Sequence, residues 1–246
     1  AAIAKLVELE EDWVPGVPGS SLYIRPAMIA TDAALGVHAS KTYMHFIILS
    51  PVGAYFKEGF NPVPVYISEE YRRAVKGGTG AAKTGGNYAA SLYVSEAVKS
   101  KGYSQVLWLD AIHGRYIEEV GAMNICFVYG GQQIVTPRLS GSILPGITRK
   151  SLLTLAPDLG YEVSEETIDV NDMLADLKSG KITEVFGCGT AAVIAPVGKF
   201  GYKDEEYIIN DYQPGPVSHR LFDELTGIQT GRLPDPYNWT FTIGEA

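Results

Sequence analysis

The sequence is poor in cysteine, in positive charge and in long hydrophobic runs. Its two cysteines, Cys126 and Cys188, lie far apart, and neither belongs to a C-x-x-C pair. This pattern excludes a disulfide framework and a cysteine-ligated zinc site, and we expect no bound metal. Isolated thiols are typical of a protein kept in a reducing compartment, so we expect a cytoplasmic location.

The charge balance is acidic, with 20 lysines and arginines against 28 aspartates and glutamates. The formal net charge of -8 predicts no binding to nucleic acid or to an anionic membrane, because both need a basic surface. The longest apolar stretch, residues 43–56, is too short to cross a bilayer and contains His45 and Ser50. We therefore expect no membrane partner and a globular chain of one or two domains.

Strand-like and helix-like patterns alternate along the chain, which predicts a mixed α+β fold. Aromatic and β-branched residues favour strands over 21–27 and 43–56, and Gly130 with Gly131 favours a hairpin turn. Apolar residues at helical spacing predict further helices at 87–102, 144–160 and 170–181. Two prolines, a glycine and an asparagine after residue 56 indicate an interdomain connection. The predicted division is a small domain over 1–56, a linker over 57–71 and a large domain over 72–246.

Lys83 stands in a segment with little side-chain bulk, next to Gly85, Gly86 and Tyr88. Paired glycines let a backbone turn tightly or let another group approach closely. The glycines therefore suggest that Lys83 faces a group that needs space.

The same lysine belongs to "GGTGAAKT" (77–84), which is close to a phosphate-binding P-loop. The segment has Ala82 where the motif requires its second glycine. The residues before it, "SEEYRRAVK", have the pattern of a charged helix, whereas a P-loop follows a buried strand. Both departures argue against a nucleotide triphosphatase.

Two turns of small residues are candidate anion sites. Pro145 and Gly146 lead into a helix whose first amides, at Ile147 and Thr148, lack intrahelical partners and can bind phosphate. A plain helix start explains the same residues. The second turn comprises Gly189, Thr190 and Ala191. Its small side chains leave backbone amides accessible to a carboxylate or phosphate. A simple hairpin turn explains the same residues.

Glu118 and Glu119 lie next to a predicted buried strand. A carboxylate beside such a strand costs free energy unless a cation pairs with it. Taken together, a reactive lysine, the hydroxyl of Tyr88, a carboxylate and two anion-binding turns are what pyridoxal 5'-phosphate needs.

The chain resembles the branched-chain amino acid aminotransferases, a family of fold type IV pyridoxal phosphate enzymes. The resemblance covers nearly all of the sequence, in order, from "EDWVPG", "SLYIRP" and "SPVGAYF" to "KTGGNYAASL", "EVGAMNICFV", "LSGSILPGITRKSLL" and "EVFGCGTAAVIAPV". It implies a two-domain α+β enzyme that uses pyridoxal 5'-phosphate.

The resemblance also implies roles for single residues at the cofactor. Lys83 matches the lysine that forms the Schiff base, Tyr88 matches the tyrosine at the ring's phenolic oxygen, and Glu119 matches the partner of the pyridine nitrogen. The residues that match the phosphate-holding turns are Leu144, Gly146, Ile147, Thr148 and Thr190.

Further residues match the substrate pocket of that family. Thr190 and Ala191 match the turn that receives the substrate carboxylate. Tyr23 and Arg25 match pocket residues of the small domain, and Arg25 is our candidate for a second substrate carboxylate. Ala122 stands where some relatives have threonine in the pocket wall.

The implied reaction moves an amino group between L-leucine, L-isoleucine or L-valine and 2-oxoglutarate, in a homodimer. The alternatives are a D-amino acid aminotransferase, an aminodeoxychorismate lyase, or a chain that binds cofactor with poor turnover. Some relatives carry a C-x-x-C pair where this chain has Ala192 and Ala195, so that pair cannot act as a redox switch here.

The N-terminal helical pattern begins at residue 1 without a capping residue. Since chains of the resembled family are longer at this end, we expect an incomplete small domain, weak cofactor binding and poor turnover from the chain as it stands. Apolar surface left uncovered there should favour self-association.

Overall fold

The computed structural model describes residues 1–53 and 60–244. The chain divides into two units. The first unit comprises Ala1–Lys57 and Asn238–Ala246, and the second comprises Glu58–Tyr237.

The first unit is a short helix followed by a hairpin. Helix α1 (Ala2–Leu9) is rich in the helix formers Ala, Leu, Lys and Glu, and a 3₁₀ turn (Glu11–Trp13) follows it. Strands β1 (Ser21–Ala30) and β2 (Tyr43–Val52) pair antiparallel along their whole length. Both strands were predicted, and the end of the second prediction, residues 54–56, lies outside the described residues.

Several large apolar side chains of this hairpin are exposed. Met28 is 66% exposed, Ile29 49% and Ile48 53%. A two-stranded hairpin alone is at best marginally stable in water. We therefore expect the hairpin to gain stability when other surface covers these side chains.

The second unit contains a large sheet with helices packed on it. Its strands are β3 (Val63–Ile67), β4 (Gln105–Leu109), β5 (Ile117–Val120), β6 (Asn124–Tyr129), β7 (Gln133–Pro137), β8 (Glu162–Glu166), β9 (Ile182–Gly189), β10 (Val193–Tyr202) and β11 (Glu205–Ile208). Its helices are α2 (Gly85–Lys99), α3 (Ile147–Asp158), α4 (Val170–Lys178) and α5 (Pro216–Gln229), with a 3₁₀ turn at Asn210–Tyr212. The mixed α+β prediction is confirmed, although β3, β5, β8, β11 and α5 were not predicted.

The strand order of this nine-stranded sheet is β5-β4-β3-β10-β9-β6-β7-β8, with β11 paired to β10. Strand β10 joins its two halves. Its first residues pair antiparallel with β9, and its later residues pair parallel with β3. The register shifts between Val197 and Lys199, where Gly198 packs against the ring of Tyr212.

Local capping explains where two of the helices begin. Asp169 accepts the backbone N–H of Asn171 at 2.8 Å and caps α4. The buried carboxylate of Glu184, on β9, accepts the N–H groups of Val217 and Ser218 at 2.9 Å each. It therefore satisfies the first amides of α5, which otherwise lack partners.

Apolar clusters hold helices α2, α3 and α5 on the sheet. Helices α3 and α5 cover a cluster that includes Leu152, Leu155, Leu221 and Phe186. Helix α2 covers a smaller cluster of Val94, Val98, Val106 and Trp108. Within the described ranges, no helix is both long and apolar enough to cross a membrane.

Three expectations about the chain order differ from the structure. The predicted linker 57–71 contains β3, a mostly buried strand between β4 and β10. Residues 238–246, predicted in the large domain, group with the first unit. The segment "SEEYRRAVK" (68–76) contains no helix, because its arginines bind loop carbonyl groups instead of facing solvent.

Candidate active site

The loop before α2 presents Lys83, and buried polar side chains hold this loop in place. Asn87 donates to the carbonyls of Thr79 (2.7 Å) and Ala82 (2.9 Å), and it accepts from the Thr79 hydroxyl at 2.7 Å. The guanidinium of Arg73 donates to the carbonyl of Gly80 at 3.3 Å. The lysine thus follows a rigid loop, although its own side chain is exposed.

Tyr88 lies in the first turn of α2, beside the lysine. The Lys83 Nζ atom lies 5.0 Å from the centre of the Tyr88 ring, a cation–π distance. Gly85 and Gly86 form the start of the same helix. A methyl group added at either glycine would meet no described atom within 4 Å, so the protein itself does not require glycine there. The idea that these glycines leave space for a bound group stays a prediction.

A pair of glycine variants separates packing from that predicted role. Gly80→Ala would overlap the carbonyl of Ser142 and come within 2.7 Å of the Ala74 side chain, so we expect a loss of about 1–3 kcal/mol in the free energy of unfolding. Gly86→Ala should instead stabilise the cofactor-free protein by about 0.5–1 kcal/mol. Urea unfolding measures both. If Gly86→Ala also leaves cofactor affinity unchanged, the steric interpretation is wrong.

Glu119 is placed by strand β5 and by the tight turn that follows it. Gly121 and Ala122 form this turn, closed by hydrogen bonds between Val120 and Met123 at 2.9 and 3.0 Å. Gly121 has φ +57°, a left-handed conformation that favours glycine, and a side chain there would also displace Gln105. The Glu119 side chain is buried and only 3% exposed.

Two groups of the chain stabilise the Glu119 carboxylate. Its Oε1 accepts the backbone N–H of Leu144 at 2.7 Å, and its Oε2 lies 2.9 Å from Nε of Arg73. Burial nevertheless raises the pKa of Glu119 to about 7, although Arg73, the Leu144 amide and Lys83 each lower it. Glu118, whose pKa burial also raises, adds to the rise. The ionised carboxylate is therefore only partly compensated by these groups.

Asn124 holds the turn before α3. Its Nδ2 donates to the carbonyl of Leu144 at 2.9 Å, and its Oδ1 fills the space next to Gly146. Helix α3 begins directly after this turn, at Ile147, which is 74% exposed. The next residue, Thr148, is buried. The amides at this helix start can bind an anion. Leu144 was predicted to help hold the phosphate. In the structure its backbone N–H donates to Glu119 instead.

The second predicted turn follows β9. Thr190 and Ala191 are exposed there, between Gly189 and the start of β10 at Val193. Asn124 on β6 pairs with Cys188 on β9. The strand pairing therefore brings this turn to the same end of the sheet as Asn124 and the start of α3.

One cavity brings together four of the predicted site residues, Tyr88, Glu119, Ala122 and Leu144. It is lined by Arg73, Ala82, Asn87, Tyr88, Ser91, Glu119, Gly121, Ala122 and Leu144. Its lining does not include Lys83, Gly146, Ile147, Thr148, Thr190 or Ala191. Tyr23 and Arg25 belong to the first unit, where Arg25 Nη2 donates to the Tyr23 hydroxyl at 2.9 Å and its guanidinium stacks on that ring.

Sequence reasoning missed Arg73, Asn87 and Asn124. Each is buried and polar, and each binds a loop that carries a predicted site residue. Asn87 and Asn124 stand inside quoted motifs, so a polar residue at a predicted core position was an available signal. Arg73 gave no such signal, because the segment around it has the composition of a solvent-exposed helix.

Comparisons with known proteins identify the family. Residues 1–200 match the model of the amino-transferase class IV family. The chain is a class IV aminotransferase. It is 51% identical over 243 residues to the branched-chain-amino-acid transaminase 1 of Bacillus subtilis (strain 168), covering 98% of this chain and 68% of that relative. The chain thus spans about two thirds of the length of that relative.

Solved structures of class IV aminotransferases share the fold. The T.th. branched-chain amino acid aminotransferase with pyridoxamine 5'-phosphate has a TM-score of 0.83 at 29% identity, over 99% of this chain and 74% of that one. The same enzyme complexed with N-(5'-phosphopyridoxyl)-L-glutamate has a TM-score of 0.78 at 28% identity, with the same coverage of both chains. The resemblance to branched-chain aminotransferases and the predicted fold type IV are confirmed.

The site residues of this aminotransferase fit a pyridoxal phosphate. Burial disfavours the ionised form of the Glu119 carboxylate, and a further positive group beside it would favour that form. A protonated pyridine nitrogen is such a group. The start of α3 supplies free amides for a phosphate. The fit therefore rests on a buried carboxylate and a helix start. Glu119 lines the same cavity as Ala82 of the lysine loop. Arg73 links Gly80 of that loop to Ser142, in the loop before α3, by hydrogen bonds.

The two thiols of this aminotransferase are packed together in its core. Cys126 and Cys188, each 1% exposed, lie on the paired strands β6 and β9, and their interaction lowers the pKa of Cys126 and raises that of Cys188. The sequence did not predict this contact. Because oxidants reach buried thiols slowly, we expect mild peroxide to leave activity unchanged. Thiol titration should detect both groups only after unfolding, and a reversible loss of activity on oxidation would contradict this prediction.

Proposed function

We propose that this chain is a pyridoxal phosphate-dependent branched-chain amino acid aminotransferase. It would move an amino group between L-leucine, L-isoleucine or L-valine and 2-oxoglutarate. The main support for this proposal is the cavity lined by Tyr88 and buried Glu119, next to the Lys83 loop. The chain is also 51% identical to a branched-chain transaminase. The phosphopyridoxyl-glutamate complex of the T.th. enzyme supports glutamate as the second amino donor.

Several residues of the chain would hold the cofactor. Glu119 would accept a hydrogen bond from the protonated pyridine nitrogen, because its carboxylate is buried and needs a cation. Tyr88 would donate to the ring's phenolic oxygen. The phosphate would bind where small residues leave amides accessible, at Gly146, Ile147, Thr148 and Thr190.

When bound, the cofactor supplies an electron sink for the electron pair released at the substrate's α-carbon. Lys83 would bind the cofactor and, once displaced by the amino acid, its Nζ would accept the α-proton as a general base. The Tyr88 ring beside Nζ, at 5.0 Å, would restrict where the ammonium can move. The loop bonds of Asn87 would keep the lysine backbone in place.

The family resemblance supports roles in substrate binding for three further residues and one turn. The Thr190–Ala191 turn would receive the α-carboxylate through its amides. Ala122, exposed in the turn after β5, would leave space for a branched side chain. Tyr23 and Arg25 would contact the substrate, with Arg25 binding the second carboxylate of glutamate.

We further propose that the enzyme works as a homodimer in the cytoplasm. Two free, buried cysteines support a reducing compartment. The exposed apolar side chains of the β1–β2 hairpin support an additional covering surface. Sedimentation velocity over a range of concentrations tests the dimer.

A turnover assay with pyridoxal 5'-phosphate and 2-oxoglutarate tests the activity. We expect L-leucine to be a better amino donor than D-alanine by at least about 100-fold in kcat/KM, since each placed contact discriminates by several kcal/mol. Preference for D-alanine would identify a D-amino acid aminotransferase instead. Bound cofactor with no turnover of either donor would favour a poorly active binding chain.

A further inference from the structure

Arg73 lies at a junction of three segments that carry the proposed site. Its guanidinium donates to the carbonyl of Gly80 in the lysine loop at 3.3 Å and to the carbonyl of Ser142 in the loop before α3. Its Nε lies 2.9 Å from Oε2 of Glu119 on β5. One side chain therefore links the lysine loop, the carboxylate and the loop of the expected phosphate turn.

This arginine is buried, with its side chain 7% exposed. A buried guanidinium costs much free energy unless opposite charge and acceptors surround it. The Nε of Arg73 makes no hydrogen bond within the described part of the chain, so its contact with Glu119 is an ion pair whose N–H does not point at the oxygen. The pair therefore acts through charge more than through a directed bond.

Other charged groups near Glu119 do not replace this one. Glu118, on the same strand, is a second buried carboxylate and raises the pKa of Glu119, whereas Lys83 is a weaker influence than Arg73 in lowering it. Glu119 contributes to the raised pKa of the buried Cys188 thiol, so this thiol carries no charge that could replace the arginine. Arg73 is thus the strongest favourable charge that the described residues place at Glu119.

We propose that Arg73 is a positioning residue that keeps the Glu119 carboxylate ionised and in place for the pyridine nitrogen. This inference rests on the proposed function, because the value of an ionised Glu119 is to hold a proton on that nitrogen. Arg73 acts through Glu119 and needs no contact with the cofactor.

The first experiment measures Glu119 directly in the cofactor-free protein. Carbon-13 NMR of labelled glutamate, assigned with Glu119→Gln, follows the carboxyl through a pH titration. We expect Arg73→Met to raise the midpoint by about one to three pH units, the usual effect of losing an adjacent opposite charge. Arg73→Lys should recover part of the shift because it restores the charge.

Arg72→Met is the matched control. Arg72 neighbours Arg73 and also binds loop carbonyls, at Asp110 and Glu69 (3.0 Å each), but it makes no recorded contact with Glu119. We expect its loss to leave the Glu119 midpoint unchanged. An unchanged midpoint in folded Arg73→Met, or an equal shift in Arg72→Met, would overturn the proposal.

A double variant covers the case in which Arg73→Met does not fold. If the defect is the uncompensated charge of Glu119, adding Glu119→Gln should restore folding. If the double variant remains unfolded, the arginine serves the loops alone and the proposal fails.

The same variants with added pyridoxal 5'-phosphate extend the test. We expect Arg73→Met to weaken cofactor affinity by at least about tenfold and to shift the pH dependence of the bound cofactor's absorption, with partial recovery in Arg73→Lys. If the wild-type protein binds no pyridoxal 5'-phosphate while the Glu119 midpoint still shifts, the proposed function fails, and only the effect of Arg73 on the Glu119 carboxyl stands.

Discussion

Lys83→Ala is expected to abolish transamination and to leave the fold intact. The lysine would bind the cofactor and move the α-proton, and loss of a group with both roles should cost at least about 10⁴-fold in rate. The Lys83 side chain is exposed and its recorded contact is with the Tyr88 ring. The free energy of unfolding should therefore change by less than about 0.5 kcal/mol.

Stopped-flow absorption of the half-reaction with L-leucine measures the loss. Lys101→Ala is a matched control, because Lys101 is also exposed and lies 4.9 Å from the ring of Tyr66, away from the cavity residues. It should behave as wild type. Borohydride reduction followed by peptide mapping should label Lys83, and a label on another lysine would show that the assignment is wrong.

Glu119→Gln is expected to retain cofactor but to slow transamination by several orders of magnitude. An amide cannot hold a proton on the ring nitrogen, and removing one partner of a buried ion pair costs about 3–5 kcal/mol. Single-turnover rates with L-leucine measure the effect. Glu118→Gln is the control, since Glu118 is also buried but accepts a hydrogen bond from Ser142. Near-normal turnover in Glu119→Gln, with a loss in Glu118→Gln, would transfer the role to Glu118.

The raised pKa of Glu119 also predicts a pH dependence of stability. In the cofactor-free protein its pKa is about 7 against an ordinary value of 4.5. Between these pH values the unfolded chain releases a proton that the folded chain keeps, so stability falls as pH rises from 4.5 to 7. The loss should be roughly 3 kcal/mol.

Urea unfolding at several pH values measures this slope. Glu119→Gln should remove most of it, because glutamine does not titrate. Added pyridoxal 5'-phosphate should also reduce the slope, because a positive group beside Glu119 lowers its pKa. A slope that survives in Glu119→Gln would have to come from other buried groups, such as Glu118.

Local patterns were sufficient for much of the fold. Helices α2, α3 and α4 and the hairpin of β6 and β7 follow from apolar spacing and turn residues, since these interactions connect residues close in sequence. Strand β3 was not predicted, because Pro62 and Pro64 suggested a linker. Proline fits at the first residues of a strand and where its missing N–H is not needed, and only its neighbours β4 and β10 reveal the strand.

The site divides in the same way. The family and the local motif of Lys83 and Tyr88 could be identified from the sequence alone. The motif is local because the spacing of these residues across a helix start brings them together without help from distant residues. The sequence also indicated Glu119 by resemblance. The sequence carried no sign of the partner that Glu119 would find.

The groups that compensate this carboxylate come together only in the folded chain. Arg73 reaches Ser142, 69 residues away in the sequence, and its ion pair with Glu119 crosses from a loop to an edge strand. Asn124 and Leu144 meet over 20 residues. Such contacts depend on how the sheet orders its strands, and no local propensity encodes that order. The pKa of a buried group depends on these long-range neighbours, because their charges and the excluded water set its electrostatic free energy.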